Sequence, residues 1–223
     1  MIKVPVCPAY GNFLRRDKMT EIIIVRHAEA EGNAKRIFHG QYNSVLTEKG
    51  HRQADAAGRF LSDEKIERIY SSDLTRTYMT AHHIAAFQGC DIVKVPGLRE
   101  INAGTWENLP FAELQEKYPE KFAFWKTDTF GFSFPGGETV KELAERVGKS
   151  IDGIAAENDG KRIAIVSHAT PIHCIKFYYE EMSEEEKKNY GWVTNASVSR
   201  GIYRNGKFEF LSYGENSFLS DIN

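Results

Sequence analysis

The chain has 223 residues, of which 41% are hydrophobic and 27% charged, and its formal net charge at pH 7 is −2. This length is enough for one sizeable hydrophobic core, and the small net charge, without a Lys/Arg-rich stripe, argues against nucleic acid as a partner. The three cysteines, Cys7, Cys90 and Cys174, are scattered along the chain, so they predict neither a disulfide framework nor a zinc site.

The amino end differs from the rest of the chain. Residues 1–18 contain two prolines and an arginine pair but no hydrophobic periodicity. We expect them to be an extension that the fold does not need, with a docking arm as the alternative. This end also lacks the core of a signal peptide, and the apolar runs are too short to span a membrane, which predicts a cytoplasmic protein without a membrane partner. We find no internal repeat and no linker, so residues 19–223 are expected to form one domain.

The first predicted strand ends in two residues with reactive or charged side chains. Residues 22–25 are a β-branched run that is typical of a buried strand, and Arg26 and His27 follow it directly. Residues just beyond the carboxyl ends of strands line the ligand crevice of an α/β sheet. A histidine there can act as a nucleophile, a base or a metal ligand, and an arginine offers a planar fork for an oxyanion such as phosphate.

The next predicted elements alternate between helix and strand. Apolar residues at helical spacing predict a helix over 48–62. A short strand over 66–70 leads to a helix over 73–88, for which Asp73 is the predicted N-cap. That position puts Arg76 in the first helical turn, near the positive end of the helix dipole.

A carboxylate follows the third predicted strand. Residues 92–95 form this strand, and Glu100 lies in the loop behind it. Phenylalanines are then concentrated over 111–134. We interpret the aromatic stretch over 122–134 as partly the core of a capping subdomain, with some rings lining a pocket. The whole capping insertion is expected at about 105–137.

The last third of the chain repeats the arrangement found at His27. A long amphipathic helix is predicted over 139–158, and the apolar strand over 162–167 is followed by His168. Thr170 and Pro171 then fit the N-cap and the first position of the next helix.

Residues 183–213 predict a short helix and then a hairpin at the edge of the sheet. Ser183 and Glu186 have the spacing of a capping box, and Asn205-Gly206 joins strand-like runs over 197–204 and 207–213 as a hairpin. The alternation of strands and helices predicts an α/β fold, a three-layer α/β/α sandwich with a mostly parallel sheet that carries an antiparallel edge.

Five residues of complementary chemistry are therefore expected in one crevice. They are two histidines, two arginines and a glutamate, namely His27, His168, Arg26, Arg76 and Glu100. This set suits phosphoryl transfer through a histidine, because a histidine accepts the phosphoryl group, arginines bind its oxygens and a carboxyl group moves protons.

The motifs around these residues resemble those of the histidine phosphatase superfamily, in its phosphoglycerate mutase-like branch (branch 1). The resemblance covers about residues 20–203. Ala28 and Ala169 stand where the family commonly has glycine, which leaves the chemistry unchanged. The matching residues are Arg26, His27, Glu29 and Asn33; Leu46, Thr47, Gly50, Gln53 and Ala54; Ser71, Ser72, Asp73, Leu74, Arg76 and Thr77; Leu98, Arg99, Glu100, Gly104 and Trp106; Pro135, Gly136, Gly137 and Glu138; and Ser167 with His168.

The resemblance implies a metal-independent phosphomonoester hydrolase that acts through a phosphohistidine intermediate on a small phosphorylated metabolite. In this interpretation neutral His27 attacks phosphorus, while Glu100 protonates the leaving alkoxide and then accepts a proton from water. Arg26, Arg76 and His168, as a third positive or donating partner, stabilise the phosphoryl oxygens. The further phosphate-binding candidates are Asn33, His39, Gly40 and Ala169. For His39, which lies in a polar loop over 33–45, a solvated loop histidine is the alternative.

These cationic groups take the place of a metal ion, so we expect neither a metal nor a cofactor, in a monomer or homodimer. One alternative is a cofactor-dependent phosphoglycerate mutase, an isomerase that returns the phosphoryl group to its substrate. It is disfavoured because the family's mutases clamp the substrate carboxylate with arginines, and residues 105–134 contain none. A binding protein without activity is the other alternative, disfavoured because all five chemical positions are filled.

Overall fold

The computed structural model describes residues 19–222. Its strands are β1 (Met19–Arg26), β2 (Ile37–Phe38), β3 (Arg68–Ser71), β4 (Ile92–Lys94), β5 (Leu109–Pro110), β6 (Arg162–Ser167), β7 (Val198–Arg204) and β8 (Lys207–Glu215). Six of them form the central sheet in the order β4-β3-β6-β1-β7-β8. The first four of this order are parallel, and β7 and β8 add an antiparallel edge, as the sequence predicts.

Helices cover both faces of this sheet. They are α1 (Glu31–Ala34), α2 (Glu48–Phe60), α3 (Thr75–Gln88), α4 (Phe111–Lys117), α5 (Pro119–Thr127), α6 (Val140–Glu157), α7 (Ala169–Tyr179) and α8 (Glu184–Asn189). Alternate residues of β1 point to opposite layers: Ile22 and Ile24 share a buried cluster with α6 and α7, whereas Ile23 and Val25 share one with α3. The predicted three-layer α/β/α sandwich is confirmed.

Of the three N-cap residues predicted for the helices, one is confirmed and two are wrong. The predicted capping box before α8 is present, because the Ser183 hydroxyl accepts from the Glu186 N–H and the Glu186 carboxylate accepts from the Ser183 N–H. Asp73 does not cap α3, which begins at Thr75. Its carboxylate instead accepts a hydrogen bond from the Arg99 guanidinium, with Nε at 2.7 Å. The prediction of Asp73 as N-cap was therefore wrong.

Helix α7 starts earlier than predicted. It begins at Ala169, with His168 in the N-cap position and the Ile172 N–H donating to the His168 carbonyl at 3.1 Å. Thr170 and Pro171 therefore lie inside the first turn, and the prediction of Thr170 as N-cap was wrong. The reason is that the chain turns into the helix directly at the end of β6.

The register of the parallel strands brings the ends of β1, β3 and β6 to the same edge of the sheet. Arg26 at the end of β1 lies opposite Ser167 at the end of β6, and Ser71 at the end of β3 lies opposite Val166. The His27 N–H continues the ladder by donating to the Ser167 carbonyl at 2.9 Å. The residues that follow β1, β3 and β6 therefore meet at one edge of the sheet.

An aromatic cluster extends the core beyond this edge. Trp106 is fully buried, with ring centroids 4.9 Å from Phe132 and 5.7 Å from Phe134. The polar segment over 33–45, predicted as a loop, contains the end of α1 and β2, because β2 pairs with β5 in a two-stranded sheet. Phe38 of β2 packs on Trp106 at 5.9 Å, which joins this segment to the insertion.

None of the helices within residues 19–222 combines the length and the apolar character needed to cross a bilayer. The prediction that residues 1–18 form a dispensable extension lies outside the described residues.

Candidate active site

A cavity of about 480 Å³ opens at the edge where β1, β3 and β6 end. Eight of the nine predicted site residues line it, and the ninth, His168, lies beside His27 with ring centroids 5.1 Å apart. The eight are Arg26, His27, Asn33, His39, Gly40, Arg76, Glu100 and Ala169. A second groove, of about 600 Å³ between α6, α7 and α8, contains none of them.

His27 is held in one orientation by its own backbone and by its neighbours. Its Nδ1 lies 2.8 Å from the Ala28 carbonyl, which can only accept a hydrogen bond, so Nδ1 carries the proton and Nε2 keeps its lone pair. Burial, together with the charges of Arg76 and Arg26, lowers the pKa of His27 well below its ordinary value. The imidazole is therefore neutral at physiological pH.

Two arginines give the cavity its positive charge. Arg76 is fully buried, and its guanidinium donates to the carbonyls of Tyr42 at 2.9 Å and Gly40 at 2.8 Å. Burial lowers the pKa of Arg76 to about 10, so the group stays charged at neutral pH. Arg26 donates to the Val193 carbonyl at 2.6 Å. Within the described residues, the buried Nε atom of each arginine has no hydrogen-bond partner.

His168 lies beside His27 and does not line the cavity. It is fully buried, and its Nε2 lies 2.9 Å from the Ser72 hydroxyl, while its buried Nδ1 has no hydrogen-bond partner in the part of the chain that the structure describes. Burial and the charge of Arg76 lower the pKa of His168 well below its ordinary value. This favours the neutral, donating form over the positive form that the sequence left open.

Glu100 lies on the cavity wall between two elements. Its carboxylate accepts from the Ile101 N–H at 2.8 Å and, more weakly, from the Thr170 N–H in the first turn of α7 at 3.4 Å. Backbone N–H groups of the loop and of α7 thus hold the carboxylate between them.

The remaining predicted residues contribute differently from one another. The Asn33 side-chain oxygen accepts from the Ala30 N–H at 3.0 Å, so its amide NH₂ stays available as a donor. His39 is buried rather than solvated, lies 3.1 Å from the Ser44 hydroxyl, and has its pKa lowered to about 3 by burial and by the two arginines. Gly40 offers its carbonyl to Arg76, and Ala169 is the first residue of α7.

The structure adds residues that sequence reasoning did not assign to the cavity. Arg36 lines it from the segment between α1 and β2, and Trp192 lines it from the segment after α8. Arg36 lies three residues before His39, so its place in the same loop was a sequence signal for a role in the site. No sequence signal pointed to Trp192, because only the fold brings it to the cavity. Between residues 19 and 222, no group of three or more His, Cys, Asp or Glu side chains is arranged to hold a metal ion.

A family model described as the histidine phosphatase superfamily (branch 1) matches residues 22–216. The chain belongs to this superfamily. A solved structure described as Bacillus stearothermophilus YhfR supports the fold, with a TM-score of 0.85, 23% identity, and coverage of 90% of this chain and all of that one. The predicted fold, family and phosphatase activity are confirmed at this level.

Named relatives of this histidine phosphatase fall into two groups. "Phosphoserine phosphatase 1" of Hydrogenobacter thermophilus is 34% identical over 157 residues, 70% of this chain and 74% of the relative. "Metal-independent phosphoserine phosphatase" of Arabidopsis thaliana is 33% identical over 208 residues, 92% of this chain and 85% of the relative. A "probable phosphoglycerate mutase" of Photorhabdus laumondii is 36% identical over 160 residues, 70% of this chain and 73% of the relative.

Proposed function

We propose that this histidine phosphatase transfers the phosphoryl group of a small phosphomonoester to Nε2 of His27 and then to water. The observation that carries the proposal is the Nδ1–H bond of His27 to the Ala28 carbonyl, which leaves Nε2 as the nucleophilic atom. Arg26 and Arg76, which line the cavity with His27, supply charged donors for an incoming phosphoryl group, and His168 beside His27 is the third donor in this proposal.

The reaction has two displacements in line. In the first, the Nε2 lone pair of His27 forms a bond to phosphorus as the P–O bond to the leaving group breaks, and Glu100 gives its proton to the leaving oxygen. In the second, the Glu100 carboxylate takes a proton from water, whose oxygen displaces His27 and releases inorganic phosphate. Arg26, Arg76, His168 and the Asn33 amide stabilise the charge on the phosphoryl oxygens in both steps.

Phosphoserine is the first substrate to test. Two of the relatives above carry phosphoserine phosphatase in their names. The wall of the cavity also holds Arg36 and Lys126. Their side chains form no hydrogen bond or ion pair within residues 19–222, although Lys126 Nζ lies 4.8 Å from the centroid of the Phe122 ring. Both cationic groups suit the carboxylate of an amino acid. Phe111 and Trp125 line the same wall and bind the apolar part of a leaving group.

The mutase alternative deserves a direct test because of Arg36. The absence of arginine from residues 105–134 argued against a carboxylate clamp, yet Arg36 reaches the cavity from outside that insertion. We favour hydrolysis because a single exposed arginine does not form the paired clamp of the mutases. We also propose a cytoplasmic location, on the composition of the chain, and a monomer or homodimer.

The nucleophile is tested by His27→Ala. We expect this variant to lose turnover and to form no acid-labile, base-stable phosphoenzyme with labelled substrate. Arg26→Ala and Arg76→Ala are each expected to lose about a hundredfold or more in kcat/KM, as when an oxyanion donor is removed. His51→Ala is the control, because His51 bonds to His83 between α2 and α3, outside the cavity. A His27→Ala enzyme that keeps substantial activity would refute the covalent mechanism.

The reaction type is tested by a substrate screen in excess EDTA. Phosphoserine, sugar phosphates, nucleotides and phosphoglycerates are compared for phosphate release, and 3-phosphoglycerate is also assayed for isomerisation with 2,3-bisphosphoglycerate present. We expect phosphate release without added metal and negligible isomerisation. Isomerisation faster than hydrolysis would make the protein a mutase, and a strict magnesium requirement would contradict the proposed site.

A further inference from the structure

One arginine outside the cavity holds the loop that carries Glu100. Arg146 on α6 donates through Nη1 to the carbonyls of Gly97 at 2.9 Å and Arg99 at 3.0 Å, and through Nη2 to the carbonyl of Glu100 itself at 3.2 Å. Three carbonyls within four residues therefore converge on a single guanidinium. Since α6 is an 18-residue helix packed on the sheet, it offers a rigid support for this loop.

A second residue, Glu138, fixes both the arginine and the far side of the loop. Its carboxylate accepts from Arg146 Nε and Nη2, each at 2.8 Å. The same carboxylate accepts from the Asn102 N–H at 3.1 Å, and the Glu138 N–H donates to the Asn102 carbonyl at 2.8 Å. The ion pair thus bonds to the backbone before, at and after Glu100.

The segments 100–105 and 135–138 also lie in close contact. The Thr105 N–H donates to the Pro135 carbonyl at 3.0 Å. A Cβ on Gly104 would lie 2.2 Å from that carbonyl, and a Cβ on Gly137 would lie 2.2 Å from the Asn102 carbonyl. The segment 135–138 therefore forms a fitted support under the segment 100–105.

We propose that Arg146 and Glu138 are positioning residues for proton transfer by Glu100, an inference that rests on the function proposed above. Neither side chain lines the cavity, so both act through the loop. Their half-buried, bidentate ion pair holds the Glu100 backbone so that its carboxylate lies between the Ile101 and Thr170 N–H groups. Releasing the loop lowers the efficiency of proton donation without changing the nucleophile or the arginines that bind phosphate.

A positioning role predicts a dependence on the leaving group. Phenyl phosphate and 4-nitrophenyl phosphate differ only in the para nitro group, and phenolate is the more basic leaving group and needs a proton more. Loss of general-acid catalysis therefore slows phenyl phosphate more than 4-nitrophenyl phosphate. A general loosening of the fold slows both substrates equally.

The experiment measures kcat/KM on both substrates for Arg146→Lys and Glu138→Gln, with Glu100→Gln as reference. We expect Glu100→Gln to lose about tenfold more on phenyl phosphate than on 4-nitrophenyl phosphate, and the two positioning variants to show the same selectivity at about threefold or more. Glu138→Gln keeps the shape of its side chain and provides the test if Arg146→Lys does not fold.

Arg162→Lys is the matched control. Arg162 also joins a carboxylate, that of Glu21 at 2.7 Å, to a backbone carbonyl, that of Glu64 at 2.8 Å, but it lies at the start of β6, opposite the cavity. We expect it to lower Tm and to leave the ratio of the two substrates unchanged.

The outcomes separate the two proposals. If Glu100→Gln loses equally on both substrates, the acid role of Glu100 is wrong and the positioning role is wrong with it. If Glu100→Gln is selective but Arg146→Lys and Glu138→Gln lose equally on both substrates, the function stands and the positioning inference is overturned.

Discussion

The position of His39 depends on the absence of a side chain at Gly32. A Cβ on Gly32 would lie 1.8 Å from the Nε2 atom of His39, which lines the cavity and lies 3.1 Å from the Ser44 hydroxyl. Gly32→Ala therefore has to displace His39 or α1, whose next residue is Asn33. We expect kcat/KM to fall by about tenfold to a hundredfold, as misplaced site residues typically cause. Steady-state kinetics on 4-nitrophenyl phosphate measures this.

Gly153→Ala provides the matched comparison. Gly153 lies inside α6, and a Cβ there meets no atom of residues 19–222 within 4 Å. We expect the alanine to raise the free energy of unfolding by about 0.5–1 kcal/mol, because glycine is costly in a helix interior, and to leave kcat/KM unchanged. Equal activity for the two alanine variants would show that His39 has room to move and that the contact is unimportant.

Helix α5 presents aromatic side chains in two directions. Trp125 is half-buried and lines the cavity, whereas Phe124 is 50% exposed and does not line it. We expect Trp125→Ala to raise KM for aryl phosphates about threefold to tenfold, because an aromatic contact with the leaving group is lost. Phe124→Ala is the control and is expected to leave KM unchanged. A KM that stays constant in Trp125→Ala would place the leaving group elsewhere in the cavity.

Sequence patterns predicted most elements of the sheet and its helices, but not all of their ends. The continuous β-branched run at 22–25 is typical of a buried strand, and the apolar spacing at 139–158 is typical of an amphipathic helix. Both elements are present. Asp73 was misassigned because a local capping pattern competes with an ion pair to Arg99, which tertiary structure supplies. The two short strands β2 and β5 are stabilised by each other, so neither has a local signal.

The site shows the same division between local and long-range information. His27, His168 and Arg76 follow directly from strands or a helix turn, so their convergence is predictable from an α/β topology. Trp192 and the Arg146–Glu138 pair reach the site only through contacts between distant segments. Such residues cannot be predicted from local sequence patterns, because they are far from the other site residues in the sequence.

The buried histidines make the stability of the whole molecule depend on pH. His27, His39, His168 and His173 are all buried, and burial lowers the pKa of each, to about 3 for His39 and about 4 for His173. Between those values and the unfolded value near 6.5, the unfolded chain binds more protons than the folded one, so stability rises with pH. The contribution of these four neutral histidines to the free energy of unfolding is therefore fully present above about pH 6.5 and is lost as the pH falls.

Urea denaturation at pH 7.5, 6 and 5 measures this dependence. Each of these histidines is expected to lower the free energy of unfolding by about 1.4 kcal/mol for every pH unit below pH 6. His173→Phe retains a ring to stack on Phe130 and Trp192 and is expected to remove one histidine's share of the slope. His82→Gln, at an exposed position, is the control and should keep the slope of the parent protein. An unchanged slope in His173→Phe would contradict the assignment.

The sheet order has a consequence for how the protein is made. β1 is the earliest strand of the central sheet in the chain, yet its two neighbours, β6 and β7, are synthesised more than a hundred residues later. At ribosomal rates this delay is on the order of ten seconds, during which a strand with the sequence Ile-Ile-Ile-Val has no partner. The nascent chain therefore presents an aggregation-prone segment that chaperones have reason to bind. Truncation before Ala196 would leave that segment permanently unpaired on one side and deprive the His27 carbonyl of the N–H of Ala196.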